Sequence, residues 1–151
     1  MKKFKICAII LLCMIIALSL SACGNHIEDT NGDDNFSLET ITDSDIESGK
    51  TNTVVYSESK MTVGNKTTYK AKKLSGIKKL EDINVNKSFT ITSDMTVSAG
   101  NCRLVLLKNS QILQDLNING SETLTFESGR YSLIIAGESA TVSLTYTITL
   151  L

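Results

Sequence analysis

Thr141-Val-Ser-Leu-Thr-Tyr-Thr-Ile-Thr-Leu150 alternates without interruption. Val142, Leu144, Tyr146, Ile148 and Leu150 fall on one side, and every position between Thr141 and Thr149 on the other is serine or threonine. Successive side chains of an extended strand point to opposite faces, so this stretch predicts a strand with one buried and one wetted face. The same period of two recurs upstream, in Phe89 and Ile91, in Cys102, Leu104 and Leu106, in Leu124 and Phe126, and in Tyr131, Leu133 and Ile135. Turn signals separate these runs at Ala99-Gly100-Asn101, Asn119-Gly120, Ser128-Gly129 and Ala136-Gly137-Glu138. Asn-Gly is the strongest of them, because both residues tolerate positive φ. No sustained helical repeat appears; Leu74, Ile77 and Leu80 would make a helical turn or two at most.

Seven to nine short strands over residues 51–151 argue for an all-β domain, a single antiparallel β-sandwich of jelly-roll or Ig-like type. A domain of this size buries roughly two thirds of its unfolded surface, enough for one core. Phe-Thr-Ile at 89–91, Thr-Val-Ser-Ala-Gly at 96–100, Leu-Val-Leu-Leu at 104–107 and Gly-Arg-Tyr-Ser-Leu-Ile-Ile at 129–135 loosely resemble the small domains of pre-peptidase C-terminal type that are appended to secreted bacterial proteins. The aspartates those domains often carry before the middle strand are absent. The resemblance implies a sandwich and says little about activity.

The N-terminus reads as an address. Lys2, Lys3 and Lys5 precede an apolar run from Ile6 to Leu18, and small residues follow at Ser19, Ser21 and Ala22. That is the three-part plan of an export signal, and the stretch is short for a spanning helix of about 20 apolar residues. Leu20-Ser21-Ala22-Cys23 resembles the lipobox of bacterial lipoproteins. The resemblance implies a signal peptide at 1–22, cleavage before Cys23, diacylglyceration of its thiol, and a place on the extracytoplasmic face of the cell membrane. Two acyl chains anchor stably where one is marginal. Gly24 is not the aspartate that, in that family, retains lipoproteins in an inner membrane. Lys, Ile and Asn far outnumber Ala, Arg, Gly and Pro, a skew associated with A+T-rich genomes and here with a single-membrane host.

Residues 23–50 are expected to form a disordered acidic tether. Glu28, Asp29, Asp33, Asp34, Glu39, Asp43, Asp45 and Glu47 stand against Lys50 alone, with few large apolar groups to offset chain entropy. As a coil the tether would span about 30 Å on average and about 90 Å taut. Asp29-Thr-Asn31-Gly-Asp33 begins like a calcium loop, but positions six and twelve hold Asp34 and Thr40 where glycine and glutamate belong. No metal or other cofactor is expected.

Catalytic equipment is sparse. The single histidine, His26, lies in the tether, so histidine relays and histidine-bearing metal sites are excluded from the domain. With Cys7 and Cys13 in the signal and Cys23 lipidated, Cys102 is the one remaining thiol, and it is expected to be buried beside Leu104 and Leu106. Glu81, Asp82, Asp94, Asp115, Glu122, Glu127 and Glu138 are scattered, and their spacing predicts no catalytic pair. A non-enzymatic binding module follows, with a small hydrolase as the outlying alternative.

Charge gives the binding reading its content. Residues 50–151 hold twelve basic and eight acidic groups, and lysines concentrate at Lys66, Lys70, Lys72, Lys73, Lys78, Lys79 and Lys87. These seven form the candidate anion-binding patch, toward an anionic envelope polymer or membrane headgroups. The competing structural reading is lysine protection of an edge strand. The alternative function is an accessory subunit bound to a membrane or surface protein complex; nucleic acid is not an expected partner. Carbohydrate recognition is disfavoured, since there is no tryptophan and only Tyr56 and Tyr69 are candidate platforms. The threonines at 141, 145, 147 and 149 read as an ordinary solvated strand face, and the Asn-X-Ser/Thr triplets at Asn65, Asn86 and Asn119 as chance.

Overall fold

The computed structural model describes residues 40–50 and 52–151. Cys23, His26 and the residues from Asp29 to Glu39 lie outside the described residues. Among the described residues one short helix, α1 (Asp43–Glu47), precedes seven strands: β1 (Thr53–Val54), β2 (Ser57–Val63), β3 (Lys66–Val85), β4 (Phe89–Lys108), β5 (Gln111–Leu116), β6 (Gly120–Phe126) and β7 (Gly129–Leu150). All pair antiparallel in one sheet of order β1-β3-β7-β4-β5, with β2 added to β3 and β6 to β4.

Three of these strands are not short. β3 and β4 run for 20 residues each and β7 for 22. Two of the four expected turns, Ala99-Gly100-Asn101 and Ala136-Gly137-Glu138, lie inside β4 and β7 as register irregularities. β3 is irregular at the same level, between Ala71 and Gly76. A bulge bends and twists its strand, so three aligned bulges divide the sheet into two halves. Gly100 holds φ +70°, and a Cβ there would sit 2.5 Å from the Glu138 carbonyl oxygen. At this point of β4 a side chain would run into the backbone of β7.

One half runs β2-β3-β7-β4-β6, the other β1-β3-β7-β4-β5. Their inward faces meet in a single core that includes Tyr69, Phe89, Ile91 and Leu144 from the first and Leu104, Leu106, Leu133 and Ile135 from the second. The far ends also meet: the rings of Phe89 and Tyr131 stand edge to face with centroids 5.1 Å apart. Val142, Leu144 and Tyr146 point inward as the alternation requires, and Ser143 is exposed. Leu74, Ile77 and Leu80 are strand residues, not a helical turn. Plain alternation puts Leu74 and Leu80 in the core and Ile77 on the opposite face, while the bulge between Ala71 and Leu74 moves the core-facing positions from odd to even.

The outer face of the β1–β5 half is apolar too, and α1 covers part of it. Ile46 is fully buried against Ile77, Val105, Leu107, Ile134 and Ala136. Residues 40–50, expected to be the end of a disordered tether, are therefore folded onto the sheet. A capping box starts the helix: Thr42 N–H donates to Asp45 Oδ2 at 2.9 Å and Asp45 N–H to Thr42 Oγ1 at 3.3 Å. Polar links hold the segment at both ends and the middle. Thr40 donates to Glu138 at 2.6 Å, Arg103 bridges Asp43 and Asp115, and Ile112 N–H donates to Glu47 at 2.9 Å. Two isoleucines, Ile41 and Ile46, are enough to dock an acidic stretch when a matching apolar face is waiting.

Candidate anion-binding surface

Alternation along β3 sorts its side chains. Thr67, Tyr69 and Ala71 are buried, whereas Lys66, Lys70 and Lys72 are exposed on the outer face of the β2–β6 half. Apart from Val63, which lies opposite Lys66 on β2, their register neighbours on that face are short and hydroxylated. Lys72 lies opposite Ser57 and Lys70 opposite Ser59 on β2, while Lys70 and Lys66 face Ser143 and Thr147 on β7. β4 continues the surface, with Thr96 opposite Ser143 and Thr92 opposite Thr147.

Where this face approaches the bulges it is concave. A cleft of about 430 Å³ is lined by Ser57 and Ser59, Lys70 and Lys72, and Thr96 and Ser143, among others. Glu58 also borders it but is engaged from the inner side. Lys78 Nζ lies 2.8 Å from one of its carboxylate oxygens, and the Tyr69 hydroxyl donates to it at 3.3 Å. The Lys78 hydrogen bond is the main reason the Glu58 carboxyl sits below its ordinary pKa. Among the described residues neither Lys70 nor Lys72 has a carboxylate partner. The cleft thus offers two unmatched ammonium groups among hydroxyls that can donate or accept.

The seven lysines do not form one patch. Lys66, Lys70 and Lys72 share a face, and Lys73 is exposed at the bend with φ +52°. Lys78 turns inward to Glu58, Lys79 pairs with Asp82 at 2.8 Å on the outer face of the other half, and Lys87 lies in the β3–β4 turn. Lys70 and Lys72 are not edge residues either, because β3 is covered by β2 on one side and β7 on the other. The charges that guard the edge belong to β2. Lys60 reaches inward to the Leu80 carbonyl and to Glu81 at 3.1 Å, and Glu58 likewise points in. Inward-pointing charge is a recognised way to keep an edge strand from pairing with another chain.

Of the two candidate aromatic platforms, Tyr69 is not one. It is fully buried, and burial is the main cause of the upward shift in its hydroxyl pKa. Tyr56 is 81% exposed. Cys102 is buried, and desolvation pushes its thiol up to about 12. The carboxylates go to separate structural partners: Glu81 to Lys60 and the Tyr146 hydroxyl, Asp82 to Lys79 and Ser132, Asp115 to Arg103, Glu122 to the Asn117 N–H. Among the described residues no three His, Cys, Asp or Glu side chains come together as a metal site.

A second cleft, of about 600 Å³, opens beside α1 on the outer face of the β1–β5 half. Its floor is apolar, with Ile46, Ile77, Leu107 and Ile134, and its rim carries Arg130 and the Lys79–Asp82 pair. It contains none of the unmatched lysines of β3. The hydroxyl residues that complete the first cleft were absent from the sequence-based site, although alternation alone sends Thr141 and Ser143 outward. The missing information was strand order, which seats β7 and β4 beside β3.

No family model matches the chain, and neither a curated protein nor a solved structure does.

Proposed function

We propose that this chain is a lipid-anchored lipoprotein of the extracytoplasmic membrane face, acting as a non-catalytic binding module toward anionic envelope polymer or headgroups. Cys23, in its lipobox-like setting, is the proposed lipidation site. The doubled sheet, whose halves share one core, is read as a β-sandwich in the jelly-roll or Ig-like sense. One observation carries the binding reading: Lys66, Lys70 and Lys72 stand exposed and, among the described residues, without a carboxylate partner, on an internal strand where edge protection does not account for them. Charged groups left without partners raise the local concentration of a counter-charged ligand, at a cost in self-repulsion.

The test is binding of the exported protein, extracted in mild detergent, to purified wall polymer and anionic vesicles across a salt series. Binding should weaken steeply as salt rises, because exposed charge is screened within about 8 Å at physiological ionic strength. Salt-independent binding, or no binding at low salt, refutes it. A second reading, an accessory subunit of a surface complex, is favoured by Val54, Tyr56, Met61 and Val63, all more than 60% exposed along β1, β2 and the link between them. It predicts a specific membrane protein crosslinked through that edge; crosslinking that yields no such partner sinks it.

A further inference from the structure

We propose that the cleft over Lys70 and Lys72 is a phosphodiester site for an extended polyol-phosphate chain running along β3. The inference rests on the anionic-ligand reading above and gives it a site and a ligand class. Lys70 and Lys72 lie two residues apart on one strand face, which sets their Cα atoms about 7 Å apart. Successive phosphates of an extended three-carbon polyol phosphate have a similar spacing. An ammonium is a point charge that serves a tetrahedral phosphate, whereas planar carboxylates favour the fork of arginine. No arginine lines this cleft.

The remaining lining suits the polyol. Ser59, Ser143 and Thr96 occupy one register row with Lys70, on strands about 4.8 Å apart. Their hydroxyls donate to phosphate oxygens and exchange hydrogen bonds with polyol hydroxyls. A bare cationic patch has no such complement. Direction follows from charge as well. Asp94 occupies the next row of the same face, opposite Thr145 and Ser121, so an anion turning toward β6 there meets repulsion. A chain following β3 past Lys70 and Lys72 does not.

The experiment titrates the exported full-length protein in detergent with synthetic poly(glycerol phosphate). Polyglutamate of equal charge serves as comparator, and free glycerophosphoglycerol as competitor. Lys70→Gln with Lys72→Gln should weaken poly(glycerol phosphate) binding at least tenfold. Lys50→Gln with Lys87→Gln, the same change in charge away from the lysine face of β3, should weaken it less than threefold. Ser59→Ala with Ser143→Ala should weaken it several-fold while leaving the salt dependence unchanged. All of these positions are exposed, and matched thermal transitions will confirm that the variants are folded. Equal losses from the two lysine pairs overturn the cleft but leave a diffuse cationic face standing. Polyglutamate bound as tightly overturns the phosphate assignment. Competition by glycerophosphoglycerol as effective, per phosphate, as the polymer overturns the chain and reassigns the site to a lipid headgroup. Failure of the unaltered protein to bind poly(glycerol phosphate) at low salt overturns the cleft, and loss of all polyanion and vesicle binding overturns the broader reading with it.

Discussion

Replacing Ile46 with alanine should undock the segment that covers the β1–β5 half. Ile46 is fully buried in the outer cluster, and the change removes three carbons, about 0.8 kcal/mol each in transfer free energy. Adding a cavity contribution puts the loss at about 2–4 kcal/mol for a rigid site. The site is not rigid, since residues 40–50 lie on the surface and can lift. The measured loss is therefore capped at the docking free energy of the whole segment. Its other anchors are weak: the Arg103–Asp43 pair is 68% exposed on the aspartate side and adds at most about 1 kcal/mol. We expect Ile46→Ala to lose 2–3 kcal/mol in urea unfolding and to collapse amide protection across residues 40–50 in hydrogen exchange. Asp43→Asn, which costs up to about 1 kcal/mol alone, should cost nothing further in the Ile46→Ala background, because the pair is already broken. A loss below about 0.5 kcal/mol with protection unchanged, or full additivity of the two substitutions, would refute the reasoning.

Four further outcomes are expected. Ser93 is 1% exposed and its hydroxyl has no hydrogen-bond partner among the described residues, so Ser93→Ala should raise stability by about 1 kcal/mol; a fall in the thermal midpoint contradicts this. Gly100→Ala should cost at least about 2 kcal/mol, from its left-handed φ and its clash with Glu138, whereas Gly64→Ala, at φ +62° in open space, should cost about 1. Equal costs would show that the close approach at the bend does not matter. The Cys102 thiol should react with a disulfide reagent at pH 8 only as fast as the protein unfolds. Its raised pKa also means that stability falls as pH climbs from the unfolded value of 9.0 toward about 12, and Cys102→Ala should remove that part of the alkaline limb. Glu58 has a lowered pKa in the fold, so its contribution is complete above the unfolded value of 4.5 and is lost as pH drops through the folded one. Glu58→Gln should flatten that part of an acid denaturation curve.

The strand content was legible because alternation is local: Thr141–Leu150 states its own two faces. The strand lengths were not. Gly100 and Gly137 read as ends of strands, whereas the pairing of β3, β4 and β7 carries hydrogen bonding through both positions. One further signal lies in the sequence. Leu104 to Leu107 and Leu133 to Ala136 are unbroken apolar runs, and all eight residues are buried. A strand apolar on both faces needs a cover on each. Ile41 and Ile46 supply part of that cover from a stretch whose acidic composition suggested a free coil. The lysines were found by composition, but their grouping depends on which way each one turns. Lys70 and Lys78 differ in orientation because the bulges of β3 reset the alternation between them.

The position of β7 bears on how the molecule comes to exist. It follows the other described strands in the chain and is the middle strand of the sheet, the common neighbour of β3 and β4 along most of their length. Until it has emerged, β3 and β4 lack their shared partner, and the hairpins β2–β3, β4–β5 and β4–β6 have no platform on which to gather. Isolated hairpins are marginal in water. The sheet therefore needs β7 to assemble and closes through contacts distant in sequence, which is slow. A chain whose sheet waits on one central strand stays threadable until that strand pairs, the state that the proposed export would require.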